Sequence, residues 1–458
     1  MKIETVHRKE FTRNNRIDSS YYLSTGAVAE RIVKSFSEKN RCIQLGNSQI
    51  ARVWQPNRNI MVYAGENEDY VPYLQPYDIL EFLPTERSRL SSNQNKIDEL
   101  KVTEGTILQT CSGRNLGPLV IADKYLEQFI FGSDLIRINV ADNRTRNYVF
   151  AFFSTWIGQA LLHSSKTGSV IDHLSINDVE KIKIPLVDEK NIDEIAELIS
   201  GSIKAMATAR NMISDLTTRF NAIINCPINN DKLARGWTTN FNSLSSTLRI
   251  DAAYYSPKAT CAEKALMNVG GIRLSLVAEV FKPSGRYKTN YVEKAYGKPL
   301  VSGRQLLQNQ IVGLQYLPNS SIDEFSKYRL KEGYIAYPAD GRVEGRLGTP
   351  VYVTKNREDW YASGHIGRIK AHENINPGYL YLAMKHPAVQ AQLYSLACGS
   401  VVDAVYPEDV ENIIIPNYIE FPYDDVVSAW NLFDEADKLK EVACSKLSFL
   451  IEHANKKM

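Results

Sequence analysis

The chain has 458 residues, 44% of them hydrophobic and 23% charged, with a formal net charge of +2. That profile fits a soluble globular protein of two to four domains and excludes collagenous or extensively disordered chains. No apolar run approaches the ~18–20 residues of a membrane span. Met1-Lys2-Ile3-Glu4 leads straight into charged sequence without the apolar core of a signal peptide, so a cytoplasmic location is expected. The cysteines at 42, 111, 226, 261, 398 and 444 are scattered, with no Cys-x-x-Cys and no clustered histidines. This excludes a usual zinc finger and points to reduced thiols.

The near-neutral total hides a local bias. Residues 271–370 carry 16 Lys and Arg against 9 Asp and Glu, and residues 1–60 carry 11 against 5. Basic lobes of this kind suit phosphate binding, though a solvated mixed-charge surface has the same composition.

Taken in order, residues 1–187 read as a β-rich lobe. Ile60-Met61-Val62-Tyr63, Leu119-Val120-Ile121 and Leu135 to Val140 are short β-branched runs bounded by Gly, Pro or Asn. Tyr148 to Leu162 is apolar on more than one face and predicts a buried helix. Asp178 to Pro185 predicts a helical turn running into a strand that Pro185 ends. Residues 188–226 then change character. With Ile192 as an a position, Ile192, Ile195, Ile199, Ser202, Met206, Ala209, Ile213, Leu216, Phe220 and Ile223 fall on successive a and d sites. The pattern predicts a long helix with an acidic first turn, a spacer standing between two lobes. A core helix of a compact domain is the alternative. Residues 227–247 are polar and turn-rich and form a connector.

The remainder replays what came before. Arg16-Ile17-Asp18-Ser19-Ser20-Tyr21-Tyr22 returns as Arg249-Ile250-Asp251-Ala252-Ala253-Tyr254-Tyr255, 233 residues on. Gly105-Thr106-Ile107 through Gly113-Arg114 precedes Gly333-Tyr334-Ile335 through Gly341-Arg342 by 228. Arg137-Ile138 precedes Arg368-Ile369, and Gly168 to Asp172 precedes Gly399 to Asp403, both by 231. Anchors in one order at one spacing mean that one half has been built twice. Residues 248–418 are thus a second lobe, with strands at Ile335-Ala336-Tyr337 and 350–353 and a helix around Tyr379 to Met384. Residues 419–458 form a second spacer helix, with Leu432, Ala436, Leu439, Ala443, Leu447 and Leu450 on one stripe. The expected fold class is α/β (α+β): two repeated lobes with mixed β-rich sheets, separated by two long antiparallel coiled-coil helices with approximate two-fold symmetry.

Catalytic signatures are absent. The sequence contains no phosphate loop, no Asn/Asp-Pro-Pro-Tyr/Phe, no strand-linked Gly-x-Gly-x-x-Gly and no His-Glu-x-x-His. Asp18 and Asp251 read as partners of Arg16 and Arg249 rather than as a catalytic pair. Corresponding polar loops are what remains. Ser112, Arg114 and Asn115 lie in one and Arg342 and Arg346 in its counterpart; Ser302 and Arg304 lie in a second pair opposite Gln75 to Asp78. Glycines let a backbone approach a groove, and Arg can donate twice to guanine. Arg286 and Lys288 sit in a further loop suited to phosphate.

On these residues the chain resembles the DNA-specificity subunit of a type I restriction-modification enzyme, over essentially its whole length. The duplicated Arg-Ile-Asp-x-x-Tyr-Tyr, the Gly-Thr-Ile-Leu…Ser-Gly-Arg and Gly-Tyr-Ile-Ala…Asp-Gly-Arg loops, and the Gly-Ser-Val-Ile/Val-Asp…Ile-Pro closings carry the resemblance, although the loop glycines are stretched at 340–348. It implies two target recognition domains, each reading half of a bipartite site on double-stranded DNA, and helices that fix the gap. It implies no enzyme activity and no cofactor in this chain. S-adenosylmethionine is expected in partner methyltransferase subunits, two in number, with a restriction/translocase subunit as a further partner. The spacer helices, with Tyr21, Tyr22, Tyr254 and Tyr255, are the expected partner-facing surface. A recognition scaffold of another phage-defence system, a protein-binding adaptor without a DNA role, and a stand-alone nuclease or methyltransferase are the competing readings.

Overall fold

The structure, a computed structural model, describes residues 22–65, 68–93, 96–113, 116–164, 173–226, 236–242, 244, 249–283, 290–319, 326–342, 346–399 and 402–454. Two compact units divide it, one formed by 1–207 with 435–458 and the other by 208–434.

The first unit opens with helix α1 (Thr25–Ser37), whose N-cap Ser24 accepts from the Ala27 amide. Strand β1 (Cys42–Ile43) pairs antiparallel with the late strand β9 (Ile184–Pro185). A four-stranded antiparallel sheet has the order β2–β8–β5–β6, from Ala51–Trp54, Leu135–Val140, Ile107–Thr110 and Leu119–Ile121. A three-stranded sheet has β3 (Tyr70–Leu74) in the middle, antiparallel to β4 (Ser88–Ser91) and parallel to β7 (Ile130–Phe131). Helices α2 (Asn143–Ser154) and α3 (Trp156–Ser164) supply much of the core, with Tyr148, Val149, Phe152, Phe153, Ile157 and Leu162 sealed from solvent. A short helix, α4 (Ile176–Lys181), starts on a reciprocal Ser175–Asp178 capping box.

Two expectations change here. Ile60 to Tyr63 forms no strand: Ile60 is 92% exposed, and Tyr63 makes only an isolated bridge to Leu90. Two backbone hydrogen bonds, Ser91 to the Val62 carbonyl and Ala64 to that of Arg89, flank the bridge, so the run meets β4 at one point instead of along a ladder. The helix expected over Tyr148 to Leu162 is two helices. Thr155 breaks it, accepting from the Gly158 amide at 3.0 Å while donating to the Phe152 carbonyl at 2.6 Å.

The second unit repeats this plan strand for strand. Helix α6 (Pro257–Asn268) takes the place of α1, and β10 (Ile272–Arg273) pairs with β20 (Ile414–Ile415). Its four-stranded sheet has the order β11–β18–β14–β16, from Ala278–Phe281, Ile366–Ala371, Ile335–Pro338 and Val351–Tyr352. Its three-stranded sheet centres on β12 (Gly297–Val301), antiparallel to β13 (Gln315–Pro318) and parallel to β17 (Tyr361–Ala362). A short helix α7 (Gly303–Leu306) follows β12, and a pair of helices, α8 (Pro377–Lys385) and α9 (Pro387–Leu396), matches α2 and α3. The added pair β15 (Asp340–Gly341) and β19 (Asp403–Ala404) stands where the first unit has a single bridge, Ser112 to His173. A turn of helix, α10 (Pro407–Val410), precedes β20.

Shared buried residues explain why the repeat was visible at all. Arg137 and Arg368 lie at matching positions of β8 and β18, and both are wholly buried. Both guanidiniums bind backbone carbonyls. Arg137 donates to the carbonyls of Glu99, Leu100 and Phe131, and Arg368 to those of Tyr328, Ala362 and Ile366. Each guanidinium thereby ties the four-stranded sheet to the segment leading into the three-stranded one. Burial lowers the Arg137 pKa to about 10. Likewise Tyr148 donates to the Pro185 carbonyl at 2.6 Å and Tyr379 to that of Pro416 at 2.7 Å.

Two long helices complete the chain, α5 (Glu189–Ile224) and α11 (Tyr423–His453). Of the ten a and d positions in α5, Ile192, Ile195, Ile199, Ser202, Ala209, Ile213, Leu216 and Phe220 are buried, while Ile223 is 58% exposed. In the first unit the two helices run antiparallel. Lys446 pairs with Glu194, and Ser202 donates to the Ala436 carbonyl at 2.7 Å. In the second unit Phe220 packs edge-on against Phe421 and Tyr423. Of the expected α11 stripe, Ala436, Ala443 and Leu447 are buried, while Leu432, Leu439 and Leu450 are only partly covered and Phe433 and Ile451 are buried at its ends. Phe433 packs edge-on against the buried Trp430, 5.3 Å between ring centres. The unit boundaries fall inside both long helices, whereas the sequence places lobe ends at 187 and 418. Buried residues on each half-helix belong to the core beside them, as Ile192, Ile195 and Ile199 join that of the first unit.

Candidate nucleic-acid interface

In each unit the polar loop follows the second inner strand of the four-stranded sheet, β5 or β14. The far end of the loop is pinned. Gln159 donates to the Gly117 carbonyl at 3.0 Å, and its counterpart Gln390 donates to that of Gly348 at 3.1 Å. Both glycines have positive φ, +109° and +75°, which a side chain at either place would strain.

Ser112 begins the first loop and is half-buried. Its hydroxyl lies 3.2 Å from an Asp134 oxygen and 3.1 Å from His173 Nδ1. Asp134 in turn pairs with the exposed Arg58 at 3.1 Å. Gln55 closes the group from β2's end, bonding the Ser133 carbonyl. Serine, histidine and aspartate therefore meet, but in an order unsuited to nucleophilic catalysis. The serine sits between the other two, so no histidine relays its proton to the carboxylate. At the matching place in the second unit stands Asp340, which has no hydroxyl. It pairs with Lys282 at 2.8 Å and with His365. Lys282 also lies 5.3 Å from the Tyr406 ring centre.

The remaining sequence-predicted residues divide. Arg114, Asn115, Arg286 and Lys288 lie outside the described residues, as do Arg16 to Tyr21 and Gly168 to Asp172. Arg342 is exposed just past β15. Arg346 points inward instead: it is 8% exposed and holds a left-handed backbone with φ +85°. Ser302 and Arg304 are exposed on the cap and first turn of α7. The Ser302 hydroxyl is engaged with Gln305 at 3.0 Å, a capping-box contact. The corresponding segment of the first unit is structural too, since the buried Asp78 binds Arg87 at 2.8 Å and accepts from the Gln75 amide at 2.9 Å.

The second Arg-Ile-Asp-x-x-Tyr-Tyr copy forms a clasp. Arg249 pairs with Asp251 at 2.9 Å, reaches the Leu396 carbonyl at 3.2 Å and lies under the Tyr254 ring; Tyr255 donates to the Arg249 carbonyl at 2.8 Å. Tyr22, the end of the first copy, is buried. Among the described residues no cluster of three or more His, Cys, Asp or Glu could hold a metal ion, and no helix is long and apolar enough to cross a membrane.

Residues missed in the sequence are Arg58, Asp134 and His173 with Gln55, and Lys282, Asp340 and His365. Their signal was present. Asp134 precedes His365 by 231, the spacing of Arg137 and Arg368, and Gln55 precedes Lys282 by 227, the spacing of Ala51 in β2 and Ala278 in β11. A search for identities between repeats passes over positions whose chemistry changes.

In comparison with known proteins, residues 57–216 match the family described as the type I restriction modification DNA specificity domain. That match covers about a third of the chain. A curated relative, the type I restriction enzyme MjaVIII specificity subunit of Methanocaldococcus jannaschii, is 28% identical over 153 residues, 33% of this chain. The match spans only a third of that relative's length. Among solved structures, the type I restriction-modification S subunit from M. genitalium aligns over 90% of this chain and 94% of its own, at 14% identity and a TM-score of 0.32. The HsdS subunit from Thermoanaerobacter tengcongensis aligns over 90% and 96%, at 12% identity and a TM-score of 0.27. The family match brings the specificity domain together with the polar loop 112–117 and the Ser112–Asp134 group, all within its span.

Proposed function

We propose that this chain is the DNA-recognition subunit of a type I restriction-modification complex, reading a bipartite site with one lobe per half. The observation that carries this is the specificity-domain match at 57–216, joined to a second unit built on the same strand order and register. On this reading residues 1–187 and 248–418 are the two target recognition domains. Residues 188–226 and 419–458 are spacer helices joined through the connector 227–247. Ser112, Arg114, Asn115, Ser302, Arg304 and Arg342 contact DNA, and Arg286 and Lys288 contact phosphate. Arg346 joins them only if its loop opens. The chain itself performs no chemistry. Two methyltransferase subunits supply S-adenosylmethionine and modify adenine, a restriction/translocase subunit can join, and the assembly works in the cytoplasm.

Binding of duplex DNA by the chain with its methyltransferase partners tests this directly. A recognition subunit loses affinity steeply with added salt, because each neutralised phosphate releases counterions, and still prefers one sequence over random duplex. Salt-indifferent or absent binding in that complex leaves only the adaptor reading.

A further inference from the structure

The two halves agree in their buried machinery and disagree at one exposed place. Arg137 and Arg368, Tyr148 and Tyr379, and Gln159 and Gln390 keep both identity and hydrogen-bond partners. At the mouth of the polar loop the chemistry changes at every position. Ser112 corresponds to Asp340, Asp134 to His365, Gln55 to Lys282, and His173 to Ala404. In the first lobe folding stability does not account for this chemistry, since an ion pair as exposed as Arg58–Asp134 contributes little, whereas Lys282 and Asp340 are largely covered, at 15% and 17%. Arg58 and Asp134 have side chains 68% and 44% exposed, and His365 is 71% exposed.

We propose that Arg58, aligned by Asp134, is the residue with which the first lobe recognises a guanine, and that the Lys282–Asp340–His365 group is its altered counterpart reading a different base. The inference rests on the DNA-recognition reading and deepens it. An arginine fork matches guanine O6 and N7 with two donors, but a long free side chain loses entropy on being fixed. The 3.1 Å contact to Asp134 engages Nη2 and sets the plane of the guanidinium beforehand. Asp134 is itself held by the Ser112 hydroxyl, on a residue that opens the loop carrying Arg114 and Asn115. Asp134 and Ser112 are therefore positioning residues, and Arg58 is the reader. In the second lobe Asp340 binds His365 through Nδ1, so the ring turns Nε2 away from the carboxylate. A single imidazole nitrogen cannot reproduce the two-donor pattern of Arg58, so the bases read differ.

The test is a map of methylated adenines in cells carrying this chain with its methyltransferase subunits, for the wild type and for Arg58→Ala, Arg58→Gln and Asp134→Asn. The expected wild-type motif contains a guanine in one half. Arg58→Ala relaxes that one position, by roughly 5- to 150-fold in discrimination, and leaves the other half intact. Arg58→Gln shifts the same position toward adenine, because a carboxamide pairs with adenine N6 and N7. Asp134→Asn weakens discrimination there without changing the preferred base. His365→Ala alters the opposite half alone. Uniform loss of methylation with an unchanged motif and a DNA-binding salt slope reduced by about one would make Arg58 a phosphate contact and overturn the proposal. So would an unchanged map. A wild type without any bipartite motif would instead remove the recognition reading beneath it.

Discussion

His386 links one side chain to the pH range over which the second unit holds. It is buried, caps α9 by accepting from the Ala388 amide at 3.2 Å, and burial lowers its pKa to about 4 from an ordinary 6.5. A neutral folded histidine means that the unfolded chain binds the extra proton between those values. Stability is therefore complete above pH 6.5 and declines as pH falls toward 4, by on the order of 3 kcal/mol. Denaturant unfolding across that range checks this, and His386→Asn, which can still cap, should flatten the decline. The buried arginines give a second prediction at this scale. Arg137→Ala strands three carbonyls and leaves a cavity, and should destabilise the first unit by on the order of 3 kcal/mol in the same assay. The pairing of Arg137 with Arg368 was legible as a repeat identity. That each is a bridge between sheets was not, because the carbonyls it binds belong to segments set by tertiary packing.

Among the elements, the helix α5 was the most legible. Its seam needs only the 3.5-residue spacing of apolar residues, and eight of the ten marked positions are buried. Truncating one of them, Ile195→Ala, should cost about 2–5 kcal/mol by thermal melting, since the side chain is wholly enclosed; Ile223→Ala, at 58% exposure, should cost far less. Short strands were less legible. Ile60 to Tyr63 has strand composition yet meets β4 only through the Tyr63–Leu90 bridge, while β1 and β9 are two residues each and exist only because they pair. Thr155 and the His386-Pro387 step divide the core helices at matching places, and only the proline announces its break. Asp78 and Ser302, read as parts of paired DNA loops, anchor local turns first. Asp and Ser at the start of a helical turn serve backbone amides whatever else they do.

For the whole molecule, duplication is the main result: two units share strand order, the antiparallel and parallel pairings, a bridging arginine and a glutamine-pinned loop. That much could be read from the order of anchors in the chain. The contact groups could not, because Arg58 reaches Asp134 across 76 residues and Lys282 reaches Asp340 across 58. Those groups differ in chemistry between otherwise matching units, as expected where each unit reads its own half of a site. Sequencing of methylated adenines in cells with and without this chain tests that claim most directly. The account predicts a two-part motif, present with the chain and lost without it. A single continuous motif, or a methylation pattern indifferent to the chain, would contradict it.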